Sequence, residues 1–180
     1  MKSVMTLTKK KSPAALTLVA VLAALSFASV ATMPTSASAA AKAHLIGNKA
    51  VAPPSAPPAV KAMIKAANHI RHEKYHWGGG HAQWNDPKGY DCSGSVSYVL
   101  HKAGLLDYPM VSGDFAKWGK KGPSRWVNIW ANEDHVFMYI AGLRWDTSYI
   151  TDGDKSGPGW SELKRPCKGF KLRHPTGVNN

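Results

Sequence analysis

Residues 91–104 read Asp91-Cys92-Ser93-Gly94-Ser95-Val96-Ser97-Tyr98-Val99-Leu100-His101-Lys102-Ala103-Gly104. Asp91 is the residue type that accepts hydrogen bonds from the free N–H groups of a helix's first turn, so it caps a helix opening at Cys92. Val96, Val99, Leu100 and Ala103 share one face, and Gly104 stands where a glycine commonly ends a helix. The spacing predicts a helix over 92–103. Cys92 then lies in the first turn, where the positive helix end favours thiolate over thiol. Ser93 and Gly94 are small and let the backbone come close to a substrate. A cysteine used only for packing would more naturally sit among Val96, Val99 and Leu100.

Upstream, Val60, Met63, Ile64, Ala67 and Ile70 recur at three- and four-residue spacing behind Pro57-Pro58, which predicts a helix running to Gly78-Gly79-Gly80. A polar loop follows through Lys88. Residues 105–124 read as irregular, broken by Gly113, Gly119, Gly122 and Pro123. Beyond them the period changes. Residues 126–130, 135–141 and 144–150 read as successive strands, with a short one at 170–173. Helices followed by an antiparallel meander give an α+β domain, its N-terminal helices packed on the sheet. Trp118, Trp126 and Trp130 suit either a groove wall or ordinary core packing.

The first 39 residues have the layout of an export signal. Lys2, Lys9, Lys10 and Lys11 precede an apolar run from Ala14 to Ala31, and Ala37-Ser38-Ala39 supplies a small-x-small cleavage site. The run is short and alanine-rich for a membrane span, so no stable membrane anchor is expected. The mature chain would begin at Ala40 and act in the secreted fraction, the cell wall or the periplasm. Residues 40–58, rich in Ala and Pro, read as an extended linker, and residues 59–180 as one domain. Cleavage removes four lysines and no acidic residue, taking the formal charge from +12 to +8. Such a surface attracts anionic wall polymers or simply keeps the protein soluble. Without a dense Lys/Arg stripe interleaved with aromatics, nucleic acid is not an expected partner. A monomer is expected.

Two cysteines in an exported chain raise the alternative of a Cys92–Cys167 disulfide. A nucleophilic Cys92 needs a base in hydrogen-bond reach and a group to orient it. His135 opens the apolar run Val136-Phe137-Met138-Tyr139-Ile140 and is the best candidate base. If Ala141-Gly142 is a two-residue hairpin loop, Ile140 faces Leu143, and strand alternation brings Asp146 to the face of His135. A three-residue loop would put Thr147 there instead.

Tyr75-His76-Trp77-Gly78-Gly79, the Asp91–Gly104 block and the His135–Gly142 strand together resemble the NlpC/P60 cysteine peptidases. The resemblance covers roughly residues 60–150. It implies a papain-like α+β fold and hydrolysis of peptide bonds in peptidoglycan, with no cofactor. It also implies Cys92 as nucleophile, His135 as base, and Tyr75 as a site-lining residue that helps polarise the scissile carbonyl. Ser93 falls beside the oxyanion position. The family's third residue is commonly His, Asn or Gln, and Asp146 falls nearest to it. The usual Pro-Gly-Asp turn before the His strand is replaced by Gly122-Pro123-Ser124-Arg125. The bond implied is D-glutamyl–diamino acid in the stem peptide.

Two alternatives come from other classes. His72-Glu73-Lys74-Tyr75-His76 matches the H-E-x-x-H pattern of zinc peptidases, which needs both histidines on one face of a continuing helix. The glycines from Gly78 work against that, and a third ligand is missing at Ala82. The other alternative is a non-catalytic, basic wall-binding protein with its cysteines bridged.

Overall fold

Proline sets the start of the first long helix. Pro58 occupies its first turn, where a missing N–H costs nothing, and helix α1 runs Pro58–Ile70. The computed structural model describes residues 42–151 and 153–178, all within the compact unit Ala37–Asn180. The expected signal over 1–39 lies outside the described residues. Among these, no helix is long and apolar enough to cross a membrane.

Ahead of α1, strands β1 (His44–Ile46) and β2 (Lys49–Val51) pair as an antiparallel hairpin. The expectation of an extended linker over 40–58 is corrected for residues 44–51, which form this hairpin. Asn68 of α1 treats Ala50 as a strand partner would, accepting from its N–H at 2.9 Å and donating to its C=O at 2.8 Å. The Ala43 N–H donates to the Ala141 carbonyl at 2.9 Å, and Ala43, Ala50 and Ala56 are buried. These bonds come from distant residues and satisfy backbone groups that a linker would leave to water.

Helix α1 also stops sooner than its pattern suggests. Arg71 is extended, and His72 has a φ of 77°. Few non-glycine residues adopt that left-handed conformation, and it cannot continue a right-handed helix. His72 and His76 therefore lack the shared helix face that the zinc pattern requires. Helix α2 spans Cys92–Lys102 and α3 Ser112–Phe115. The remaining strands are β3 (Lys120–Lys121), β4 (Val127–Ala131), β5 (Val136–Ile140), β6 (Leu143–Asp146), β7 (Gly159–Ser161) and β8 (Lys171–His174). They form one sheet in the order β3-β8-β4-β5-β6-β7, with each pair antiparallel. The fold is α+β.

The core lies between the helices and one sheet face. Val60, Met63 and Ala67 of α1 and Val96, Val99 and Leu100 of α2 meet Val136, Met138 and Ile140 of β5. Trp126 belongs to this core and Trp118 packs against it, so neither forms the groove wall entertained from the sequence. Ala141 and Gly142 have φ of 48° and 87°. Two positive φ values mark the tight turn whose twist matches a hairpin. Ile140 accordingly pairs with Leu143, Tyr139 with Arg144 and Met138 with Trp145.

Candidate active site

The start of α2 is built around Asp91. Its Oδ1 accepts from the Gly94 N–H at 2.7 Å and the Ser93 hydroxyl at 3.1 Å, and Oδ2 accepts from the Gly78 N–H at 3.0 Å. One carboxylate thus caps the helix and ties it to the upstream loop. His81 joins through Nε2, 3.1 Å from Asp91 Oδ1 and 3.2 Å from Ser93 Oγ. The Asp91 bond raises the His81 pKa, against the opposing effect of burial.

Both cysteines are free, which corrects the bridged alternative. Cys92 is only 6% exposed, and its Sγ lies 3.4 Å from Ser112 Oγ. Burial pushes its thiol pKa up. Hydrogen bonds with His135, Ser112 and the Val136 backbone, with the His135 charge, outweigh burial and bring it below the ordinary thiol value. His135 Nε2 lies 2.9 Å from Asp146 Oδ1. An ionised carboxylate can only accept, so this nitrogen carries a proton and Nδ1 is left for Cys92. Burial works to lower the His135 pKa, but the Asp146 and Cys92 hydrogen bonds prevail and raise it to about 9.

Asp146 is a hub of donors. Oδ1 also accepts from the Ser148 N–H at 3.0 Å, and Oδ2 from Arg165 Nη1 at 2.9 Å. Arg144 Nε stands 3.8 Å from Oδ2. Burial would raise the carboxyl pKa, yet the hydrogen bond and charge of His135, Arg165 and the Ser148 N–H hold it below the usual range. Charged here, it can fix both the tautomer and the tilt of the imidazole.

The structure thus brings Cys92, His135 and Asp146 together. Tyr75 lies close enough that the charges of Cys92 and Asp91 add to burial in raising its phenol pKa. Its backbone bridges to Tyr90, next to the cap, and Lys155 Nζ stands 5.6 Å from its ring centroid. Ser93 is present, but its hydroxyl is committed to Asp91 and His81. Beside Cys92 opens a cleft of about 640 Å³, lined among others by Trp77, His81, Val111, Ser112, Glu133 and Asp134. Trp77 is 78% exposed at this cleft.

No protein-family model matches the sequence, and no curated protein matches it either. Solved structures do match. A hypothetical invasion protein of Mycobacterium tuberculosis aligns at 21% identity and a TM-score of 0.47, over 72% of this chain and 70% of that one. An NlpC/P60 family protein from Bacillus cereus aligns at 20% identity and a TM-score of 0.49, over 66% and 40% respectively. The fold is similar to that of NlpC/P60 proteins. A third neighbour, RipD of Mycobacterium tuberculosis, is described as a non-catalytic NlpC/p60 domain protein adapted to peptidoglycan binding. It aligns at 20% identity and a TM-score of 0.48, over 66% of this chain and 98% of that one. At these identities the likeness concerns the fold.

At this site, sequence reasoning missed Ser112, His81 and Arg165. Ser112 fell in a stretch read as irregular. His81 stands in the stretch read as a polar loop, with no pattern to single it out. Arg165 sits in the segment between β7 and β8, where nothing in the local pattern separates it from Lys164 or Lys168.

Proposed function

We propose that this chain is an exported cysteine endopeptidase that hydrolyses peptide bonds in peptidoglycan stem peptides, the D-glutamyl–diamino acid bond being the specific target. The observation that carries this reading is His135 set between Asp146, 2.9 Å from its Nε2, and Cys92, with the thiol pKa lowered and that of the imidazole raised. That combination favours a thiolate–imidazolium pair, the reactive form of a cysteine nucleophile.

The Cys92 thiolate attacks the carbonyl carbon, and the electron pair moves onto oxygen. In a helix's first turn the N–H groups have no intrahelical acceptor. The Asp91 side chain takes that of Gly94, leaving those of Cys92 and Ser93 to stabilise the oxyanion. Tyr75 adds a phenol at the same end. Imidazolium His135 gives its proton to the departing amine, leaving a thioester. His135 then takes a proton from water, the hydroxide displaces the thiolate, and the acid product leaves. Asp146 stays ionised and holds the ring throughout.

The test is digestion of purified peptidoglycan, with fragments read by mass spectrometry. Iodoacetamide should stop release of stem-peptide fragments and EDTA should not. The reverse pattern would sink the proposal in favour of metal chemistry.

A pH profile follows from the same pair. Activity needs Cys92 ionised and His135 protonated, so kcat/KM should rise through the lowered thiol pKa and fall through about 9. In Asp146→Asn the carboxylate that raises the His135 pKa is gone, and the alkaline limb should move to lower pH. Arg165 acts one step further out, as a positioning residue. Arg165→Gln removes a cation that offsets the Asp146 charge, so the alkaline limb should move up. An unmoved limb in both variants would contradict the arrangement.

A further inference from the structure

A larger cavity, about 850 Å³, lies away from Cys92 over β2, α1 and the end of α2. It shares no lining residue with the cleft beside the thiol. Its lining includes Lys49, Lys61, Lys65, Arg71 and Lys102, together with His69, and neither aspartate nor glutamate. The four lysines are exposed. Among the described residues, no carboxylate lies within ion-pair distance of any of the five cations. Their interactions are with neutral groups. Lys61 Nζ donates to the Pro54 carbonyl at 2.8 Å, Arg71 Nε to Asn48 Oδ1 at 3.2 Å, and Lys102 Nζ sits 5.4 Å from the Tyr98 ring centroid.

This arrangement works against the stability of the isolated fold. Lys61 and Lys65 stand four apart on α1, a spacing at which like charges repel and destabilise a helix. Lys49 and Lys102 bring further positive charge from β2 and the end of α2. Such a cluster with no internal counter-charge is complementary to an anion from outside. Four of the five are lysines, compact point charges suited to diffuse phosphate charge rather than to the planar, bidentate recognition of a carboxylate. Between them the groove is lined by half-buried Ala62, with Ile64, Ala66 and Tyr98 buried beneath it, so its floor carries no further charge.

We infer that this groove binds a flexible phosphodiester polymer and so holds the protein on an anionic cell wall, apart from the cleft where peptides are cut. The wall as the source of the polymer rests on the proposed function; the groove and its charge do not.

The test measures binding of fluorescein-labelled poly(glycerol phosphate) to the full chain by anisotropy across a salt series. Three proteins are compared: the wild type, Lys61→Gln/Lys65→Gln/Lys102→Gln, and Lys120→Gln/Lys121→Gln/Lys171→Gln. The last removes the same charge from exposed lysines outside this groove. Losing three phosphate contacts should weaken binding at least about tenfold and flatten the slope of log K against log salt by roughly 2. The control triple should lose less than about twofold. Equal losses in the two triples would overturn the inference, because net charge alone would then explain binding. Tight binding to phosphatidylglycerol vesicles without binding to the polymer would overturn it in favour of a membrane surface. Hydrolysis of a soluble stem peptide serves as a separate readout. If no protein cuts it while the groove still binds polymer, the peptidase reading fails and the groove assignment stands.

Discussion

Cys92→Ala should lower kcat/KM on a stem-peptide substrate by at least about 10⁴-fold, on the order of 5 kcal/mol of transition-state stabilisation. No other side chain in the cleft can take over the attack. Ser112 Oγ is close, at 3.4 Å from Sγ, but a hydroxyl is far harder to ionise than this thiol. The fold should barely notice. Cys92 loses one atom from a site beside an open cleft, so unfolding free energy should change by about 1 kcal/mol or less. His135→Ala should cost nearly as much activity, since the thiol loses the group that keeps it ionised. The double variant should be little worse than either single one, because residues acting as one unit are not additive. Additive losses would mean that Cys92 and His135 act independently, and the proposed chemistry would be wrong.

Gly94→Ala should destabilise the fold by about 3 kcal/mol, although the same exchange inside an ordinary helix stabilises by about 1 kcal/mol. A Cβ at Gly94 would meet the Gly79 carbonyl oxygen at 1.9 Å and the Gly80 Cα at 3.1 Å. Those atoms are backbone and cannot rotate away. Either the helix start or the Gly78–His81 loop must move, and Asp91 is bonded to both. The melting temperature should fall by roughly 10 °C in calorimetry. Gly104→Ala is the comparison. Its φ is 71°, but nothing lies within 4 Å of an added Cβ, so it should cost only about 1 kcal/mol of backbone strain. If Gly94→Ala proves as mild as Gly104→Ala, the close contact at the site is not what orders it.

The parts of the fold legible in the sequence are those decided locally. Asp91 caps α2 because its side chain and the N–H it serves are three residues apart. The Asp146 assignment depended on the loop at Ala141-Gly142 having two residues, and the paired positive φ values give that loop. Alternation along two strands then carries Asp146 to the face of His135. What could not be read is decided by distant partners. The β1–β2 hairpin forms in an Ala- and Pro-rich stretch because Asn68 and Ala141 supply its hydrogen bonds. Helix α1 ends at Ile70 although no Gly or Pro follows directly. The His72 N–H instead donates to the carbonyl of Pro158 at 3.1 Å, far along the chain. Arg165 reaches Asp146 from nineteen residues away, with no periodic pattern to announce it.

The β5–β6 hairpin places His135 and Asp146 eleven residues apart and joins them through a two-residue turn. Hairpins form in about 1–10 μs, so the base and its acceptor can meet early in folding. Cys92 belongs to another segment and gains its imidazole partner only when α2 docks on β5. Before that docking nothing brings its thiol below the ordinary thiol value, and it stays largely protonated at neutral pH. Reactivity toward a thiol reagent at mildly acidic pH therefore records that docking rather than the chain's synthesis. On the proposed chemistry, a freshly made, unfolded chain carries its nucleophile unarmed, and the docking of α2 arms it.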